Sequence, residues 1–132
     1  MKITIIGAGY VGYSLAILLA RKYSVMAYDI DFKKVELINS NKPLLEDDYI
    51  KKYLKNNKIN LKASDKLKTA CSNSEYIVIC TPTNYNKKNN KFDTSSVQEL
   101  IKIISKEFKK STIIIKSTIP IGFTDFVRKK YK

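Results

Sequence analysis

Short β-branched runs alternate along this chain with longer stretches that are apolar on one side. Ile3, Thr4, Ile5 and Ile6 make such a run, ended by Gly7, and predict a buried strand over residues 2–6. Residues 10–22 predict a helix, with Val11, Leu15, Leu18 and Leu19 on one face and small residues at Gly12, Ser14 and Ala16. A second strand is expected over 24–28, closed by Asp29, and Asp31 is placed to cap a helix carrying Val35, Leu37 and Ile38. Pro43 opens a loop before a short helix over 47–54, and the polar stretch 55–60 separates two halves without being a linker.

The second half repeats the alternation. A short strand is expected at 61–63, a short helix at 65–70, and a strand at 76–79 that ends in Cys80-Thr81-Pro82-Thr83. A polar loop over 84–91 leads to Thr94, read as the cap of a helix burying Val97, Leu100, Ile101 and Ile104. Residues 112–115 are the last clear strand, and 117–122 turn into a terminal helix that reaches Lys132. Strands alternating with helices imply an α/β fold with a parallel, doubly wound sheet between two helical layers. At 132 residues the chain fits a single domain, 1–132. Ligands of such sheets lie at the carboxyl ends of the strands. Gly7, Asp29, Thr81 to Thr83 and Ser117-Thr118 are all expected there.

Gly7-Ala8-Gly9-Tyr10-Val11-Gly12 is a G-x-G-x-x-G that follows a strand, opens a helix, and has Asp29 at the end of the next strand. That context makes it a Rossmann-type dinucleotide fingerprint. Gly7 permits a tight turn, Gly9 lets backbone approach a pyrophosphate, and Gly12 lets the helix pack closely on the sheet. The helix N-terminus offers unpaired N–H groups and about half a positive charge. Asp29 selects the cofactor, since its carboxylate accepts from ribose hydroxyls. A 2′-phosphate at roughly 4 Å from it would cost about 1–4 kcal/mol, which favours NAD over NADP. Lys34, beside Lys33, weakens that preference slightly, because a lysine can reach a phosphate.

Composition changes the picture little. The net charge of +13 comes from 25 basic residues against 12 acidic ones, the lysines scattered in ones and twos with no run of five. They read as solvated surface with some attraction for an anionic nucleotide, and no nucleic-acid partner is expected. No apolar run approaches the ~20 residues needed to span a bilayer, and no signal peptide is evident, so no membrane partner and a cytoplasmic setting are expected. There is no histidine, and the two cysteines, Cys71 and Cys80, have no zinc spacing, so no metal site is expected. Both cysteines read as small core residues, and Lys116 as a possible ion-pair partner.

Three further stretches are more specific than the fingerprint: Thr81-Pro82-Thr83-Asn84-Tyr85-Asn86, Phe92-Asp93-Thr94, and Ile115-Lys116-Ser117-Thr118-Ile119-Pro120-Ile121-Gly122. Through them the whole chain resembles the UDP-glucose/GDP-mannose dehydrogenase family, and within it the UDP-glucose 6-dehydrogenases of capsule-making bacteria. The resemblance implies that Tyr10 and Val11 lie against the pyrophosphate through backbone groups, with Gly7, Gly9 and Gly12 shaping the loop. It implies that Asp29 and Lys34 hold the adenosine ribose, that Thr83 meets the nicotinamide half, and that Thr118 contacts the cofactor and positions a catalytic water. Without the resemblance, Thr83 and Thr118 also read as caps of the helices that follow them. The family oxidises a primary alcohol to a carboxylate with two NAD, through a cysteine-bound intermediate. Its nucleophilic cysteine, dimerising central helix and sugar-nucleotide domain are expected beyond residue 132. The 132 residues alone are therefore expected to bind NAD as a monomer and to be inactive, while the full-length enzyme is a homodimer acting on UDP-glucose.

Two alternatives stay open. One is an NAD-binding regulatory domain of a potassium transport system, which the first 40 residues also resemble. The other is a dehydrogenase for GDP-mannose or UDP-N-acetylmannosamine, since the sugar is chosen largely outside these residues.

Overall fold

Five parallel strands form the centre of the molecule. In the computed structural model, which describes residues 1–131, they are β1 (Lys2–Ile6), β2 (Ser24–Tyr28), β3 (Leu61–Ser64), β4 (Tyr76–Ile79) and β7 (Thr112–Ile115). The expected end of the terminal helix at Lys132 lies outside the described residues. The strand order is β3-β2-β1-β4-β7, every neighbour parallel. The chain thus winds outward from β1 through β2 to β3, then returns to place β4 on the other side of β1. That reversal opens a crevice between the carboxyl ends of β1 and β4.

Among the described residues six helices cover the sheet: α1 (Tyr10–Ala20), α2 (Phe32–Asn39), α3 (Asp48–Asn56), α4 (Leu67–Cys71), α5 (Ser95–Glu107) and α6 (Phe123–Lys130). On one face Ile3, Ile5, Val25 and Val78 pack against Ala16 and Ala20 of α1, while Ala27 meets Tyr13, Ile17, Ile38 and Leu54. On the other, Ile6, Ile77 and Ile79 pack with Val97, Ile101 and Ile104 of α5 and with Phe123 and Val127 of α6. Strands covered on both faces read as near-continuous hydrophobic runs, as Ile77–Ile79 of β4 do, and as Ile3–Ile6 of β1 do apart from Thr4, whose buried hydroxyl donates to the Ala70 carbonyl at 2.7 Å. Three layers result, as expected from the pattern.

Three local expectations are corrected. The buried side of α1 is Gly12, Tyr13, Ala16, Ile17 and Ala20, whereas Val11 and Leu18 are more than half exposed. The helix is apolar nearly all round, so periodicity did not single out the inner face. The small residues at 12, 16 and 20 do, because a helix lies closest to a sheet where side chains are shortest. The loop over 84–91 contains a hairpin, β5 (Tyr85–Asn86) with β6 (Lys91–Phe92), held by an edge-to-face contact between Tyr85 and Phe92 with centroids 5.1 Å apart. Thr94 occupies the cap position of α5 but makes no capping bond. Asp93 accepts from the Ser95 backbone N–H at 3.0 Å instead, and Thr94 Oγ1 accepts from Gln98 Nε2 at 3.1 Å. Asp31 caps α2 as expected, accepting from Lys33 N–H at 3.0 Å. No helix among the described residues is long and apolar enough to cross a membrane.

Candidate functional site

The carboxyl ends of β1, β2, β4 and β7 enclose an open crevice of about 710 Å³. Gly7, Gly9, Tyr10, Val11, Asp29, Lys34, Thr83 and Thr118 all line it, so the residues singled out from the sequence converge on one place. Gly12 sits behind the wall.

The three glycines do different things. Gly7 has φ +98°, and a Cβ there would lie 2.9 Å from the Cys80 carbonyl oxygen. Gly12 faces the turn itself, where a Cβ would come within 1.9 Å of Gly7 O and 3.1 Å of Cys80 Cβ. Both serve the fold. Gly9 is extended (φ −82°, ψ −166°), and a Cβ there would meet nothing within 4 Å. Its missing side chain therefore keeps space open at the start of α1 without relieving any contact in the protein. No side chain caps α1, and the first-turn N–H groups of a helix have no partner inside it. An anion is the natural acceptor.

Asp29 is buried and already engaged. Its Oδ2 accepts from Ala8 N–H at 2.8 Å and its Oδ1 from Asp31 N–H at 2.9 Å, with Lys34 Nζ at 3.5 Å from Oδ2. The carboxylate thus braces the glycine loop against the end of β2, a role not read from the sequence. A carboxylate offers about four acceptor positions, so roughly two remain for ribose hydroxyls. Lys34, whose presence weakened the case against a 2′-phosphate, directs its ammonium at Asp29.

The far wall is tied together by Ser117. Its Oγ donates to the Thr81 carbonyl at 2.6 Å, and the Lys116 and Ser117 amides both donate to Ile79 O, at 2.8 and 3.1 Å. These bonds hold the threonine loops after β4 and β7 side by side. Neither Thr83 nor Thr118 caps a helix, because α5 starts after Thr94 and α6 after Gly122, itself left-handed at φ +82°. The capping alternative falls away. Thr81 Oγ1 is buried and has no hydrogen-bond partner, the one such side-chain atom among the described residues. Its position at the strand end was the available signal.

Cys80 is half-buried in the same wall, where burial pushes its thiol pKa up and the Lys116 ammonium acts in the opposite sense. Cys71 is fully buried and pushed up to about 11. Thiols held protonated are poor nucleophiles at neutral pH. Lys116, read as an ion-pair partner, makes no salt bridge among the described residues and lines the crevice instead. An uncapped helix start, open space at Gly9, spare acceptors on Asp29 and an orphaned hydroxyl at Thr81 together suit a dinucleotide.

Comparison with known proteins decides the family. Residues 1–132 match the UDP-glucose/GDP-mannose dehydrogenase family, NAD binding domain. The chain belongs to this family. Its cofactor is accordingly NAD. The chain is 47% identical over 131 residues to the UDP-glucose 6-dehydrogenase of Streptococcus pneumoniae, covering 99% of this chain and 33% of that protein. It is 40% identical over 133 residues to the Campylobacter jejuni enzyme of the same name, covering 99% and 34%. Among solved structures, the ternary complex of GDP-mannose dehydrogenase from Pseudomonas aeruginosa superposes with a TM-score of 0.83 at 26% identity, covering 96% of this chain and 30% of that one. The chain spans about a third of the length of these relatives. The match runs through both threonine loops, so the potassium-transport alternative, which rested on the first 40 residues, is not favoured.

Proposed function

We propose that the crevice seats NAD with its adenosine ribose at Asp29 and Lys34, its pyrophosphate on the amides of Tyr10 and Val11, and its nicotinamide half toward Thr83 and Thr118. The protein's overall activity is then oxidation of UDP-glucose to UDP-glucuronate in the cytoplasm. The observation that carries this reading is the open space at Gly9 over an uncapped helix start, beside a buried acid on the adjacent strand. NAD, when bound, supplies the hydride acceptor. The residues present orient it. Asp29 offers its spare lone pairs to the ribose, the start of α1 neutralises phosphate charge, and Thr118 holds a water near the reacting end. The identities of 47% and 40% with two UDP-glucose 6-dehydrogenases support UDP-glucose as the sugar nucleotide.

Calorimetric titration of the chain with NAD and with NADP tests the cofactor reading. NAD is expected to bind one to one and NADP at least about tenfold more weakly, the factor that 1.4 kcal/mol of repulsion at Asp29 produces. Equal affinity, or preference for NADP, would contradict the role given to Asp29.

A further inference from the structure

We propose that Lys116 completes the phosphate site, its ammonium meeting the pyrophosphate of NAD from the wall opposite the start of α1. The inference rests on the NAD reading above and deepens it by assigning a residue that the sequence left without a role.

The strand register places Lys116 on the α1 side of the sheet. Val78 pairs with Ile114, and Val78 packs against Ala16 and Ala20 of α1. Two residues on, Cys80 packs against that same cluster, and Lys116 follows Ile114 by two, so it emerges on the same face. Its side chain lines the crevice together with Tyr10 and Val11. It also lines a shallow groove running along Ser14, Leu15 and Leu18 of α1. β7 lies two strands from β1, about 10 Å away, and the four-carbon stem of lysine closes most of that gap.

Charge accounting points the same way. A pyrophosphate brings about two negative charges, and a helix N-terminus offers about half a positive one. Of the two lysines in the crevice, Lys34 is paired with Asp29, whereas Lys116 has no carboxylate within 4 Å among the described residues. Its ammonium is near enough to act on the Cys80 thiol, which places positive charge at the carboxyl ends of β4 and β7. Lysine binds phosphate as a compact point charge and tolerates such an approach.

The test compares Lys116→Met and Lys116→Arg with the wild-type chain in titrations against NAD, adenosine and UDP, each at low and high salt. Lys116 is exposed, so both variants are expected to keep the wild-type circular dichroism and melting temperature. K116M should weaken NAD about tenfold, flatten the salt dependence of NAD binding, and leave adenosine and UDP unchanged. K116R should recover most of the loss. NAD binding by K116M within twofold of wild type overturns the proposal, as does an equal loss for adenosine, which carries no phosphate. A loss for UDP but not NAD overturns it too, by assigning the cation to another nucleotide. If the wild-type chain binds no NAD, the cofactor reading itself fails and the proposal with it. Normal NAD binding by wild type and K116M alike sinks the proposal alone.

Discussion

Gly9 and Gly12 belong to one motif and differ in what their missing side chains are for, so alanine at each should produce opposite phenotypes. At Gly12 the added Cβ would lie 1.9 Å from Gly7 O, a backbone atom of the preceding turn that is itself fixed at φ +98°. Neither partner is a flexible side-chain tip, and α1 must shift off the sheet. Overpacking costs typically about 1–3 kcal/mol, and a backbone clash belongs at the upper end. Against a total stability of about 5–15 kcal/mol, G12A should lower the melting temperature by about 10 °C. At Gly9 the Cβ meets nothing within 4 Å, and the backbone is extended rather than left-handed. G9A should therefore melt within about 2 °C of wild type, or slightly above it, because alanine restricts the unfolded chain. Yet its methyl group fills the space assigned to the pyrophosphate, and NAD affinity should fall at least about tenfold, or 1.4 kcal/mol. Differential scanning fluorimetry with a parallel NAD titration separates the two. A G9A variant that binds NAD like wild type would refute the reasoning, as would a G12A variant of unchanged stability.

Other expectations follow from the same geometry. Asp29→Ala removes the acceptor for the Ala8 and Asp31 amides. It should cost about 2–4 kcal/mol in chemical denaturation, since the buried Ala8 donor left unsatisfied costs about 1–3 kcal/mol and the part-buried Asp31 donor adds about 1, and it should abolish NAD binding as well. Ser117→Ala breaks the tether to the Thr81 carbonyl. It should lower stability by about 1 kcal/mol and increase hydrogen exchange in residues 81–84 more than in α1. The thiols should react slowly with an alkylating reagent at pH 7.5, Cys80 faster than the fully buried Cys71, and a fast-reacting Cys71 would contradict its burial. The folded state holds Cys71 protonated up to about pH 11 against 9.0 in the unfolded chain. Its contribution to stability is therefore complete below pH 9 and is lost as pH rises through 11, a decline that Cys71→Ala should lessen.

Much of this architecture was legible because β1, β4 and β7 are β-branched runs and because glycine, aspartate or a threonine loop follows β1, β2, β4 and β7. The five parallel strands start where expected, and the convergence of Gly9, Asp29, Thr83 and Thr118 follows from the rule for strand carboxyl ends. What escaped had physical reasons. The inner face of α1 was hidden because apolar residues surround the helix, and the tyrosine–phenylalanine hairpin because its strands are two residues each. The brace from Asp29 to Ala8 spans 21 residues, and the tether from Ser117 to Thr81 spans 36. Such long-range side-chain-to-backbone bonds leave no periodic trace. Lys116 drew attention as a charge near a strand, but only the register of β7 against β4 shows which face it takes.

The most direct test is the pattern of backbone amide shifts when NAD is added to the isotope-labelled chain in a two-dimensional nitrogen–proton NMR spectrum. The largest changes should fall on Gly9, Tyr10 and Val11, on Ala8 and Asp31 around Asp29, and on Thr83 and Thr118. The carboxyl end of α5 and the amino ends of the strands should stay still. Shifts centred on the opposite edge of the sheet, with the glycine loop unmoved, would contradict the account.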